Sequence, residues 1–503
     1  MQPVLTFLER LRAAIEARLS IAWVLAAVFL CLVAPLGVML GQITPPGQVA
    51  DETVHALRAD ALSRGQIIGH RAHAGGDPGR PVAAGINADA AIFDVTNPNY
   101  WYHMMTWVYH GGIASRDWSG AADQFFEIGP VAAYCPVFYA PAAAAIGISR
   151  AAGAGPLRAF LVARAVNSLL YALIGATALL LARRGRALLF CVLAFPMSLS
   201  LGASLNQDGL LIATAVLGFA LLSGIAPERG QGRRLLGGAA CLTLVCLAKP
   251  PYLPVLGVLL LPLPAGWRSR AGRVALLRRA GLIVACAAPV LVWTLAGQLV
   301  ASAPLARNPY VPGPLYHGPA DSFASTDPHA QLGVLLHAPS LMLSLPWRAL
   351  VDHEWYVEET IGILGWLNLR LPGWLLTWWQ WAAIASVPAG LLAGIAQARS
   401  RLREGLLQAG FVLVLFAVAV EAIELSQYLV WTRVGEDGVR GVQGRYFEPL
   451  LPMAALLLPL ADRDRQIRAT TLASALLAWI PAGAAVATLL FLPPMVVSFF
   501  YLH

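Results

Sequence analysis

The chain has 503 residues, of which 58% are hydrophobic and 12% charged. Soluble domains carry about 25% charged residues, so a water-soluble globular protein is excluded and a polytopic membrane protein is expected. The net charge of +8 lies in short clusters between apolar runs, a pattern of cytoplasmic loops that argues against a nucleic-acid partner.

In chain order, the first apolar run covers residues 21–43. No A-x-A-type cleavage site follows it, so it reads as an anchor and not a signal peptide. About eleven spans are expected, at 21–43, 158–182, 187–204, 208–225, 235–248, 252–265, 280–302, 373–396, 406–430, 446–461 and 469–492, counting runs near ~20 residues and allowing shorter interior ones. With the N-terminus in the cytoplasm, the connections at 183–186, 227–234, 267–279, 397–404 and 462–468 are cytoplasmic. Together with Arg10, Arg12 and Arg18 they hold 20 of the 35 basic residues, as the positive-inside rule requires. A crossing at 132–149 would turn five arginine clusters outward, so that segment is expected to lie on the outer surface or re-enter.

Two long outer segments result, 44–157 and 303–372, both with more acids than arginines and both with aromatic runs, NYWYHMMTWVYH at 99–110 and PWRALVDHEWYVEE at 346–359. Loops of this length are functional or disordered, and the aromatic content argues against disorder. No internal repeat is evident, which disfavours a transporter built on inverted repeats. The six cysteines show no paired spacing, so neither a disulfide frame nor a zinc site is implied. The whole chain, 1–503, reads as one transmembrane domain.

Candidate chemistry gathers at the outer ends of the spans. Pro45 and Pro46 stop the first span, and Asp51, Glu52 and His55 follow at once. A carboxylate there suits proton abstraction from an acceptor hydroxyl; the alternative is an N-cap for the helical stretch VHALRADALSRG. Asn206 and Asp208 in SLNQDG sit between two spans and either position a ligand or make a plain polar turn. Lys249 in LAKPPY is the only lysine against 34 arginines and suits a lipid phosphate as a point charge, or merely snorkels. Arg445 and Tyr446 in GVQGRYFEP suit a phosphate leaving group, or anchor the interface. Arg164 with Asn167, Glu421, Glu424, His353 and Glu354 are further candidates. His103 and His110 read as packing residues. No metal or other cofactor is favoured.

Taken together, PPGQVADETVHALRADALSRG (45–65), YCPVFYAPAAAAIG (134–147), ARAVN (163–167), SLNQDG (204–209), AKPPY (248–252) and GVQGRYFEPLLP (441–452) resemble a bacterial family of predicted membrane proteins of unknown function, itself similar to the GT-C glycosyltransferases. The resemblance implies an all-α polytopic GT-C-like bundle in the bacterial inner membrane, with surface-lying helices in the first outer segment. It implies a catalytic acid at Asp51 with Glu52 beside it, and an active site facing the periplasm. The donor would be a polyprenyl-phosphate sugar. Lys249, Arg445 and Tyr446 would bind its phosphate, and His55, Asn206, Asp208, Arg164, His353 and Glu354 the sugar or a glycan or lipid-linked acceptor. The stretch 70–130 has no counterpart in the resemblance, and the absence of D-x-D in the second outer segment speaks against a divalent metal. Rival readings are a flippase for lipid-linked sugars, a glycan polymerase or ligase relying on His353, and a structural subunit of an envelope-polysaccharide assembly.

Overall fold

Backbone N–H and C=O groups inside a bilayer must be satisfied within the chain, and helices do so locally. The computed structural model, which describes residues 21–73, 77–97, 116–119, 124–225, 232–262, 269–319, 321–398, 402–459 and 472–502, is accordingly mostly helical. The first span is α1 (Trp23–Ile43). The first outer segment contains α2 (Glu52–Ser63), α3 (Ala90–Thr96) and α4 (Ala140–Ala151). The bundle continues with α5 (Pro156–Leu181), α6 (Arg186–Ala194), α7 (Pro196–Gly202), α8 (Gln207–Leu222), α9 (Gly232–Ala248) and α10 (Arg270–Ala301). The second outer segment carries α11 (Pro328–His337), α12 (Leu341–Asp352) and α13 (Tyr356–Gly362), followed by α14 (Gly373–Ala398), α15 (Leu402–Val430) and α16 (Leu472–Tyr501).

The protein is a multi-pass membrane protein, but the expected eleven spans are not found. Among the described residues five helices are long and apolar enough to cross: α1, α5, α10, Gly405–Val430 of α15 and Trp479–Tyr501 of α16. The number rises to seven if each of two bent pairs counts as one span. The physical reason is helix breaking. Pro196 splits the expected 187–204 span, and α7 turns by 116° into α8. The expected 252–265 and 446–461 spans are 3-10 helices, Pro250–Leu260 and Glu448–Leu457, each with an internal proline. At about 2 Å rise per residue, neither covers the ~30 Å hydrocarbon core. α9 has 17 residues, about 25 Å. α4, with 12 residues, is about 18 Å long and too short to cross.

The outer segments also hold strands that the sequence reading did not anticipate. β1 (His70–His73), β2 (Val82–Ala88) and β3 (Gln124–Glu127) form an antiparallel sheet in that order. It covers a second apolar core shared by α2, α4 and the start of α5. Two short hairpins, β4 (Ala306–Tyr310) with β5 (Phe323–Ser325) and β6 (Ile363–Leu364) with β7 (Leu369–Arg370), belong to the second outer segment. In the main core, α6 is apolar on every side and residues 187–194 are all buried, as an interior helix must be.

The bundle has two unlike ends. α5 and α8 begin beside the first outer segment and run to Leu181 and Leu222. There Arg234 donates to the carbonyls of Leu181 at 3.1 Å and Leu221 at 3.3 Å. Arg184 donates to Leu458 O at 3.0 Å and Arg279 to Leu260 O at 2.8 Å. Arginines thus bond to carbonyls at helix C-termini and complement their partial negative charge.

At the other end one side chain sets the corner after α1. Arg164, on α5, is fully buried. Its Nη1 donates to Gly41 O at 3.0 Å and Thr44 O at 2.5 Å, and its Nη2 to Pro45 O at 3.2 Å. Nε and Nη2 also form a two-pronged pair with Glu52, at 2.8 and 2.5 Å. All five guanidinium N–H groups therefore have acceptors. Glu52 in turn accepts from Gly47 N at 3.0 Å and Leu205 N at 3.1 Å. The clamp ties α1, α2, α5 and the turn before α8 together.

Removing one partner of such a pair strands a buried charge. Arg164→Met is expected to lower the stability of the detergent-solubilised protein by about 3–5 kcal/mol, and Glu52→Gln by nearly as much. The double variant should recover part of the loss, since no lone charge remains. Denaturant unfolding measures this, and strictly additive losses would show that the two do not act as a pair.

Candidate active site

Asp51 occupies the position before α2, but not as a cap. Its backbone is left-handed (φ 61°, ψ 6°), and its side chain makes no capping bond. Such a conformation costs an L-residue about 1–2 kcal/mol, less for Asp and Asn. Among the described residues only Asp51 and Leu367 adopt positive φ without being glycine. The neighbouring Ala50 is held on both sides of its peptide. Its N–H donates to Gly365 O at 3.1 Å, and its carbonyl accepts from Asn206 Nδ2 at 3.0 Å and Arg445 Nη1 at 3.2 Å. Pinned in this way, the Asp51 carboxylate points away from its own helix and meets Arg445 Nη2 in an ion pair.

A second pair lies alongside. Asp208, in the first turn of α8, meets Lys249 Nζ at 2.7 Å. The Tyr446 ring joins the two pairs, with Lys249 Nζ 4.4 Å and Arg445 Cζ 5.3 Å from its centroid, within cation–π range. Tyr252 OH fixes Tyr446 by donating to its carbonyl at 2.7 Å. The set holds two carboxylates and two cations and is formally neutral. Arg445 is buried, whereas the Asp51 side chain is 40% exposed and so forms the mouth.

Burial alone would raise the Asp51 pKa, but Arg445 and then His55 outweigh it and hold the carboxyl below its ordinary value. Burial works against the Arg445 charge as well, yet Asp51 and its neighbours keep the guanidinium firmly protonated. His55, one turn into α2, bonds through Nδ1 to Tyr139 OH at 2.6 Å and stacks on that ring. Burial drives its pKa down to about 4, with Asp208 and Asp51 offsetting only part of the effect.

Of the residues singled out in the sequence, Asp51, His55, Asp208, Lys249, Arg445 and Tyr446 come together. Glu52 and Arg164 form the clamp behind them, with every polar atom engaged. Asn206 is the N-cap of α8, accepting from Asp208 N at 2.9 Å while its amide holds Ala50. His353 stands outside, stacked on Tyr356, and its Nε2 meets Glu359 Oε1 at 3.0 Å. Glu359 Oε2 accepts from Gly444 N at 2.7 Å, so His353 supports the loop that carries Arg445. Only glycine fits at 444, since a Cβ there would stand 2.4 Å from Tyr356 O. Glu354 lies exposed on the turn before α13. Asn167 donates to Ser204 O at 2.9 Å. Glu424 is buried and accepts from Tyr356 OH at 3.3 Å. His103 and His110 lie outside the described residues. Among the described residues no group of three or more His, Cys, Asp or Glu is placed to hold a metal ion.

The sequence reading missed Tyr134, Tyr139, Tyr252 and Glu448. Glu448 is fully buried; Ser198 OH donates to its Oε2, and its Oε1 has no partner among the described residues. The signal was present, an acid opening an apolar run, but Arg445 three residues earlier drew the reading.

The unfolded imidazole titrates near 6.5 and the folded one near 4. Between those values the unfolded chain binds more protons, so stability rises with pH across that window and falls on acidification. His55→Gln should flatten this dependence in thermal midpoints measured from pH 4 to 7; an unchanged slope would assign it to another group.

No curated protein and no solved structure matches the chain. A family model does match, over residues 35–454, which include every residue of the two ion pairs and of the clamp. The chain belongs to the family described as predicted membrane protein (DUF2142).

Proposed function

We propose that the protein is an inverting glycosyltransferase that moves a sugar from a polyprenyl-phosphate donor to a cell-envelope glycan or lipid-linked acceptor. The observation that carries the reading is the Asp51 carboxylate, held in a left-handed turn at the mouth of a site whose wall contains Lys249 and Arg445. The resemblance of the motifs to the GT-C enzymes supports the same assignment. Asp51 takes the proton of the acceptor hydroxyl while that oxygen bonds to the anomeric carbon. The bond from that carbon to the donor's phosphate oxygen breaks, and the phosphate leaves with the electron pair, stabilised by the two cations. The products are the glycoside, the polyprenyl phosphate and a protonated Asp51.

Charge supports a periplasmic site. Arg184, Arg234 and Arg279 sit at the far end of the bundle, the distribution expected if that end faces the cytoplasm. An apolar groove of about 630 Å³, lined by Leu62, Ile67, Pro136, Val137 and Ala140 among others, opens between α2 and α4. Its apolar lining suits the donor's prenyl chain. On α12 the exposed Leu343, Trp347 and Val351 form one stripe, suited to lying in the lipid interface.

Purified wild type incubated with polyprenyl-phosphate sugars and an envelope extract should transfer sugar, and Asp51→Asn should lower the rate at least ~100-fold. Donor bound without any transfer would point to a lipid-linked-sugar transporter instead. Lys249→Ala should weaken donor binding more than Lys249→Arg, which keeps the charge. Equal binding by both would make Lys249 a mere anchor.

A further inference from the structure

We propose that the donor's phosphate and Asp51 compete for the Arg445 guanidinium, so that donor binding itself releases the base. The inference rests on the reading of Lys249 and Arg445 as phosphate ligands. Its starting point is that both cations already have an acid: Arg445 holds Asp51 and Lys249 holds Asp208. A phosphate entering this neutral, poorly solvated set must either leave an excess negative charge there or loosen one of the two pairs.

The geometry selects the pair that yields. The side chain of Asp208 is 5% exposed and that of Asp51 40% exposed, so only Asp51 can exchange its cation for water without a large desolvation penalty. Arg445 cannot follow it, because Nη1 is anchored to Ala50 O at 3.2 Å. The buried Nε of Arg445 has no partner among the described residues, leaving the guanidinium an unused donor for an incoming oxygen. Asp51, for its part, cannot drift away. The bonds from Ala50 N–H to Gly365 O and from Asn206 Nδ2 to Ala50 O fix its backbone whether or not Arg445 is engaged.

Release changes the chemistry of the carboxylate. With Arg445 in place its proton affinity is depressed. Once phosphate has taken the place of Asp51 on the guanidinium, that depression is lost and the carboxylate becomes a stronger base. The enzyme therefore holds its base in reserve until a donor is present.

The test is binding of a short-chain polyprenyl monophosphate to the full-length protein in detergent, by calorimetry. Any carboxylate beside a phosphate repels it, but only a competitor for Arg445 loses its effect when Arg445 is removed. Asp51→Asn, which retains a side chain suited to a left-handed turn, should bind the phosphate about 10-fold more tightly than wild type. Asp51→Gly, equally suited to that turn, should do the same. Arg445→Met should bind at least ~10-fold more weakly, and adding Asp51→Asn to it should give no further tightening. Thermal midpoints confirm which variants are folded.

Unchanged or weaker binding by both folded Asp51 variants overturns the proposal. Equal tightening in the Arg445→Met background overturns it too, since a shared guanidinium would then not be the cause. Failure of wild type to bind removes the phosphate site itself and the competition with it. Tightening as expected without any sugar transfer keeps the competition and removes only the transferase reading.

Discussion

A guanidinium in a low-dielectric interior is costly unless its N–H groups are paired. Arg164 meets that condition through three carbonyls at the end of α1 and the two oxygens of Glu52. The residues it joins come from widely separated parts of the chain, so the clamp forms only when the first span, the first outer helix and α5 are all in place. It also closes the C-terminus of α1, whose last carbonyls would otherwise be unsatisfied. Asp51 is the residue immediately before Glu52. The Asp51 carboxylate is thus positioned by the buried pair next to it.

Beside the clamp, the Ala50 backbone is fixed as well. Asn206 from the α8 cap, Gly365 from the second outer segment and Arg445 from the loop after α15 all bond to it. Trp366 adds a bond from Nε1 to Gly47 O at 2.9 Å. The two outer segments therefore meet at one turn, through residues 319 positions apart in sequence. Glu359, Thr360 and Gly444 extend the same support to Arg445, with Thr360 Oγ1 donating to Gly444 O at 3.0 Å. A change in the second outer segment can reach the Asp51–Arg445 pair through this contact, without touching a substrate.

Much of this was legible in the sequence because it rests on local chemistry. Low charge and long apolar runs identify a membrane protein, and the lone lysine and the arginine after Gly444 fall at positions that the fold brings together around Tyr446. The span count failed where proline and 3-10 winding shorten an apolar run, since hydropathy does not register rise per residue. The sheet in 70–127 failed to register because β1 and β3 are only four residues long and their partner strand is brought by tertiary contact. Glu52 read as a neighbour of the catalytic acid and Asn206 and Arg164 as ligand-binding from residue type; in the fold they hold backbone groups up to 156 residues away, and Glu52 and Arg164 also hold each other. No periodicity or motif encodes such pairings. His353 was legible as polar and aromatic-flanked, but its position one contact behind Arg445 depends on how α13 packs.

The central claim is an anion site between Lys249 and Arg445 with the base at its edge. The most direct measurement is an experimental structure of the full-length protein with a polyprenyl phosphate bound. The account predicts phosphate oxygens within hydrogen-bond distance of Lys249 Nζ and the Arg445 guanidinium, with Asp51 turned from Arg445 toward the open mouth and Arg164–Glu52 unchanged. A phosphate bound elsewhere, with Arg445 still on Asp51, would contradict it.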